Sequence, residues 1–274
     1  MVKQGLINTA VARIERGVLL LAKQARQRMS TTAPRLHVLV AGVQRSGTNM
    51  LMDVLERSWD TDLYHETDVR AFDNYEMRPR PVIHALMERS SAPIFVIKAL
   101  CELDQLKSLL DEFAPAKSVW MVRDYNDAVS SALVSFRNFV AQVGRIATDR
   151  NADGWRGRGM SDETHALVRS LHTAQMNDAT AAALIWYFRN MLYFEQGLHH
   201  DQRVLLAHYE NLVSEPQIAF LRIFNFLGLD YSPSVSRKVF ASSIRRSSPP
   251  PIAEPVRALC QGLSTRLRAV HDAI

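Results

Sequence analysis

The chain has 274 residues, 47% of them hydrophobic, enough for one ordinary domain with a sizeable core and some helical additions. Lys and Arg total 33 against 28 Asp and Glu; the resulting net +5 leans toward anionic ligands but lacks the dense basic blocks of nucleic-acid tails, so no nucleic-acid partner is expected. Two cysteines, Cys101 and Cys260, exclude a disulfide framework or a cysteine metal cluster and favour a reducing, cytoplasmic setting, with one optional disulfide as the weaker alternative.

Leu6, Ile7, Val11, Ile14, Val18, Leu21, Ala25 and Met29 recur at helical spacing, interspersed with Arg13, Arg16, Lys23, Arg26 and Arg28. This pattern predicts a basic amphipathic helix over residues 1–30, slightly weakened by Gly17. Such a helix either docks on the body of the protein or lies on anionic lipid at a membrane surface. The longest early apolar run, Gly17 to Ala22, is bracketed by Arg16 and Lys23, so neither a cleaved signal nor a span of roughly 20 apolar residues is expected.

Residues 31–274 read as one domain. Leu36 to Ala41 is a short apolar, β-branched run, followed by a Gly/Ser loop and the helical pattern Met50 to Glu56. Ile94 to Lys98, Ser118 to Val122 and Arg203 to His208 make further buried strands, with helices predicted from Glu102 to Phe113 and from Gln217 to Leu227, the last stopped at Gly228. Short apolar strands alternating with helices predict an α/β fold with a parallel sheet flanked by helices on both faces. Asn151 to Met160, rich in Gly and Trp, reads as a mobile loop, and Ser161 to Leu198 as helical throughout. Ser247-Ser248-Pro249-Pro250-Pro251 is incompatible with a helix interior.

The segment Gly42-Val43-Gln44-Arg45-Ser46-Gly47-Thr48-Asn49 joins a strand to a helix, where free backbone N–H groups and the helix dipole bind phosphate. Its glycines have Walker A spacing, but Thr48 and Asn49 stand where that motif needs Lys and Ser/Thr. Gln-Arg-Ser-Gly-Thr instead resembles the 5′-phosphosulfate loop of sulfotransferases, with Asn49 departing from the second Thr often found there. The resemblance implies a P-loop-like fold and 3′-phosphoadenosine 5′-phosphosulfate (PAPS) as donor, with Gln44, Arg45, Ser46, Gly47, Thr48 and Asn49 holding its 5′ end. Arg45 would then meet the negative charge growing on the bridging oxygen as the S–O bond breaks, so that no metal is needed.

Arg123-Asp124 follows the apolar strand, with Ser131 eight residues beyond Arg123. The spacing resembles the family's 3′-phosphate segment, in which an Arg at a strand end and a hydroxyl early in the next helix converge on one phosphate. His208-Tyr209-Glu210-Asn211-Leu212 and Phe226-Leu227-Gly228-Leu229 are similar to two late family segments, which makes Tyr209 a candidate nucleotide contact. Ser242 to Ser248 resembles the loop that closes over the 3′-phosphate and sulfuryl group, bringing in Arg245, Arg246 and Ser247.

Transfer to an alcohol needs a group that takes the acceptor's proton. Tyr64-His65-Glu66-Thr67 looks like the base-carrying stretch of tyrosylprotein sulfotransferases, which points to Glu66, with His65 as its rival. Lys98 ends a strand where an open parallel sheet collects ligands, and could balance charge on the sulfuryl group. The catalytic set expected is thus Arg45, Glu66, Lys98 and Ser247. A helical insertion at 135–177 is expected on the acceptor side, the acceptor being a glycan, lipid, peptide or small metabolite. A small-molecule kinase and a non-catalytic nucleotide- or lipid-binding protein are the competing readings.

Overall fold

A computed structural model of the chain describes residues 17–29, 36–240 and 248–272. Arg245, Arg246 and Ser247 lie outside the described residues. Five strands form one sheet: β1 (Leu36–Gly42), β2 (Thr61–Tyr64), β5 (Ile94–Ala99), β6 (Ala116–Val122) and β7 (Val204–His208), in the order β2-β5-β1-β6-β7. All four pairings are parallel. A small antiparallel hairpin, β3 (Phe72–Asp73) with β4 (Glu76–Met77), stands apart from it.

Apart from the edge strand β2, the strands are mostly apolar runs because the sheet is covered on both faces. Leu39, Ala41, Ile97 and Trp120 face one core, whose far side includes α4 (Leu106–Glu112), α5 (Tyr125–Ser135), α8 (Asp178–Glu195) and α12 (Glu254–Asp272). Val38, Val40, Val96, Val119 and Met121 face the other, against α2 (Thr48–Glu56), α9 (Tyr209–Ser214) and α10 (Pro216–Leu227). Period-two alternation along each strand thus feeds two separate cores. After β1 the chain moves toward β2, whereas after β6 it moves to β7 on the other side. The crevice beyond the carboxyl ends of β1 and β6 is therefore the topological switch point, where open α/β sheets take their ligands.

Three sequence expectations need correction. The helix foreseen from 161 to 198 is two helices, α7 (Asp162–Leu171) and α8, because Ser161 and Asn177 each cap a new start by accepting a bond from the backbone N–H three residues on. Residues 151–160 are not a loose loop. Arg150 donates to the Met160 carbonyl at 2.6 Å, Arg158 pairs with Asp104 at 2.8 Å, and the Trp155 carbonyl accepts from Arg189 at 2.7 Å. The stretch after Glu102 opens with a 3₁₀ turn, Leu103–Gln105, before α4. Cys101 and Cys260 are both buried and free, so the optional disulfide is not formed.

Residues 17–29 form a helix, α1, that rests against the end of α2 and the start of β2. Among the described residues no helix is long and apolar enough to cross a membrane.

Candidate active site

The phosphate loop leaves β1 at Gly42 and enters α2 at Thr48. Arg45 (φ 69°) and Gly47 (φ 94°) both take left-handed backbone conformations, the alternation that turns successive N–H groups toward one anion. The Ser46 hydroxyl folds under the loop to the Val43 carbonyl at 2.6 Å, and its backbone N–H donates to the same carbonyl at 3.1 Å. Ser46 therefore braces the loop from below.

Gly47 has a packing reason as well as a conformational one. A Cβ there would stand 2.4 Å from Cδ2 of the Tyr209 ring. Tyr209 opens α9 directly after β7, and the guanidinium of Arg123, the residue after β6, lies 4.5 Å from its ring centroid. Arg123 Nη1 also donates to the Arg45 carbonyl at 3.4 Å, and Arg45 Nε donates to Ser131 Oγ of α5 at 2.9 Å. The carboxyl ends of three strands thereby meet around one loop.

On the opposite side, Lys98 at the end of β5 is only 2% exposed. Its ammonium donates to Asn49 Oδ1 at 2.6 Å and forms an ion pair with the Glu66 carboxylate, two residues beyond β2. Burial pulls the Lys98 ammonium below its ordinary range, and Glu66 opposes that shift. Glu66, Lys98 and Asn49 therefore make a continuous polar link from the edge of the sheet to the phosphate loop.

These groups share one cavity of about 950 Å³. Of the expected residues, Gln44, Arg45, Gly47, Thr48, Asn49, Glu66, Lys98, Arg123, Ser131 and Tyr209 all line it. His65 does not. It faces a separate cavity between α1 and the segment after β2. No group of three or more His, Cys, Asp or Glu is placed to hold a metal ion among the described residues.

The sequence of this chain matches the Sulfotransferase domain family over residues 35–247. It belongs to that family. Solved structures agree on the fold. A sulfotransferase domain from the curacin biosynthetic pathway has TM-score 0.51 and 12% identity, covering 85% of this chain and 99% of that one. The sulfotransferase domain of the Synechococcus PCC 7002 olefin synthase gives 0.51 and 14%, covering 86% and 96%. A sulfotransferase from Alicyclobacillus acidocaldarius gives 0.52 and 15%, covering 88% and 97%. The comparison with curated proteins yields no match.

This sulfotransferase also builds a wall, in which Tyr75 lies outside the segment 135–177 expected from the sequence and no individual residue had been named. Tyr75 at the tip of the β3–β4 hairpin, Phe136 after α5, and Trp155 and Arg156 all line the cavity. Arg189 of α8 supports that wall from beneath. It is 1% exposed, and it donates to the Trp155 carbonyl at 2.7 Å and the Leu100 carbonyl at 3.0 Å. Its guanidinium lies 5.0 Å from the Trp155 ring and that of Arg156 lies 4.7 Å away. Burial lowers Arg189 to about 10. The signal available in the sequence was an arginine in the middle of a largely apolar helix.

The Gly47 contact gives a direct test. Gly47→Ala is expected to displace the Tyr209 ring and with it the Arg123 stack, costing about 1–3 kcal/mol of stability from strain and overpacking. Calorimetry measures that loss, and titration with 3′-phosphoadenosine 5′-phosphate (PAP) should show weaker binding. A variant with unchanged stability would mean that the ring moves aside freely.

Proposed function

We propose that this sulfotransferase moves a sulfuryl group from PAPS to a hydroxyl or amine acceptor by in-line transfer without metal. The observation that carries the reading is the arrangement of one cavity: a phosphate loop with Arg45 at its tip on one side, and the Glu66–Lys98–Asn49 link on the other. Gln44, Arg45, Gly47, Thr48 and Asn49 would hold the 5′-phosphosulfate, with Ser46 bracing them. Arg123 and Ser131 would hold the 3′-phosphate, beside Tyr209. Arg245, Arg246 and Ser247 are proposed to close over the donor.

The bond changes are simple to balance. As the acceptor oxygen or nitrogen bonds to sulfur, the bond from sulfur to the 5′-phosphate oxygen breaks, and the electron pair stays on that oxygen beside Arg45. Lys98 would offset charge on the sulfuryl oxygens, and Glu66 would take the acceptor's proton. Holding these groups in one geometry lowers the entropic part of the barrier. The residues from 135 to 177, which contribute Phe136, Trp155 and Arg156, are proposed as the acceptor-side insertion. The acceptor class proposed is a glycan, lipid, peptide or small metabolite, and the setting cytoplasmic, with peripheral membrane contact through the N-terminal helix.

Donor identity is tested by thermal stability. PAP at 100 times its Kd is expected to stabilise the fold by about 2.7 kcal/mol through mass action, and ATP with Mg²⁺ by much less. Turnover should persist in a chelator. Equal or reversed thermal shifts would overturn the donor assignment in favour of a kinase-like site.

A further inference from the structure

An ordinary surface helix buries its apolar stripe and turns its polar side to water. Helix α1 keeps only Leu19 and Leu20 half-buried and is fastened by polar side chains instead. Its buried side chains are Lys23, 2% exposed, and Gln27, 6% exposed, one turn apart. Lys23 Nζ donates to the Glu56 carbonyl at 2.7 Å and to Thr61 Oγ1 at 3.0 Å. Gln27 Nε2 donates to the carbonyls of Trp59 at 2.8 Å and Thr61 at 3.1 Å. Desolvation lowers the Lys23 ammonium to about 8 despite Glu56, Asp62 and Asp60 nearby, so this mode of attachment carries a cost that an apolar contact would not.

Among the described residues, nothing covers the opposite side. Val18, Leu21 and Met29 are 63%, 69% and 86% exposed, and the exposed Ala22 and Ala25 fall between them. At 3.6 residues per turn these five positions fill an arc about 100° wide, bordered by Arg26 on one side and Arg28 on the other. In the sequence, Ile7, Val11 and Ile14 continue the same spacing.

Charge points to the occupant. Residues 1–29 contain six Lys and Arg and one Glu, whereas the rest of the chain contains 27 basic and 27 acidic residues. The whole net +5 of the protein therefore belongs to this segment. A second copy of the chain, docking the same face, would set arginine borders against arginine borders. An anionic bilayer supplies both an apolar layer for the arc and negative headgroups for its borders.

We propose that α1 is a peripheral membrane anchor: Lys23 and Gln27 fasten it to the domain, and its Val18-Leu21-Ala22-Ala25-Met29 face lies in the surface of an anionic bilayer. The anchor sits beside the catalytic half of the sheet, since Leu20 and Lys23 share a cavity of about 370 Å³ with His65, Thr67 and Arg70, which flank Glu66. The proposal stands on α1 alone and is independent of the donor chemistry.

Co-sedimentation of the full chain with vesicles tests it. Vesicles of phosphatidylcholine with about 30% phosphatidylserine are expected to bind the protein at least about tenfold more tightly than phosphatidylcholine alone, each basic residue near the surface contributing about a factor of five. Raising salt to about 0.5 M should weaken that binding strongly. The double variant Leu21→Asp/Met29→Asp is expected to lose about tenfold or more in partition. Both positions are exposed, so its thermal midpoint and its shift with PAP should stay at the parent values. Three results would overturn the anchor. One is failure of the parent to sediment with anionic vesicles; another is a double variant that binds as the parent does, leaving charge alone. The third is a dimer seen by light scattering without vesicles that the double variant dissolves, which would make the face a protein interface.

Discussion

Glu66→Gln is expected to lower turnover by about 10²-fold or more, the scale of a positioned general base, while PAP affinity stays within a few-fold. The amide keeps the size of the carboxylate and cannot take a proton. Glu66 itself is assigned no contact with the nucleotide, so binding and chemistry should separate, with the loss in kcat rather than in donor KM. A phenol acidic enough to ionise unaided should recover much of the lost rate, because it needs no base. His65→Ala serves as the control. His65 faces the cavity beneath α1 and not the one that contains Lys98 and the loop, so its removal should leave turnover within a few-fold. The opposite pattern, with Glu66→Gln active and His65→Ala dead, would transfer the role to His65. If neither substitution matters, the segment supplies no base.

What the sequence could convey here was set by range. The apolar runs from Leu36, Ile94, Ser118 and Arg203 announce strands because a parallel sheet covered on both faces needs several buried residues in a row. The loop at Gly42–Asn49 is similarly local, since strand, glycine turn and helix start lie within a dozen residues. The hairpin at Phe72–Met77 was missed because its turn places Asn74 and Tyr75 at φ 48° and 70°, and Asn-Tyr lacks the glycine that marks such turns. The partners of Arg189 were illegible for a different reason. Trp155 and Leu100 are 34 and 89 residues away, and both offer backbone carbonyls, which no residue type encodes. Helix α1 combines the two cases. Its periodicity identifies an apolar stripe, yet the side that meets the domain was decided by carbonyls at Glu56, Trp59 and Thr61.

Arg123→Ala is expected to weaken PAP binding by about 2–4 kcal/mol, a factor of roughly 30 to 900. Arg123 is 8% exposed and leaves β6 directly into the crevice at the switch point. Its planar head lies on the Tyr209 ring at 4.5 Å while Nη1 reaches the Arg45 carbonyl at 3.4 Å. The residue thus acts twice, as a cation for the 3′-phosphate and as a brace between two other nucleotide contacts. Alanine removes both, and a phosphate left without its cation accounts for the larger part of the loss. Arg123→Lys separates them. Lysine keeps a point charge but cannot stack a flat guanidinium on the ring and donate in a fork at once, so an intermediate loss of about tenfold is expected. Thermal unfolding of both variants without ligand distinguishes a binding defect from a general loss of fold. Wild-type affinity in Arg123→Ala would remove this residue from the nucleotide site, and an Arg123→Lys as weak as alanine would assign the loss to bracing rather than to charge.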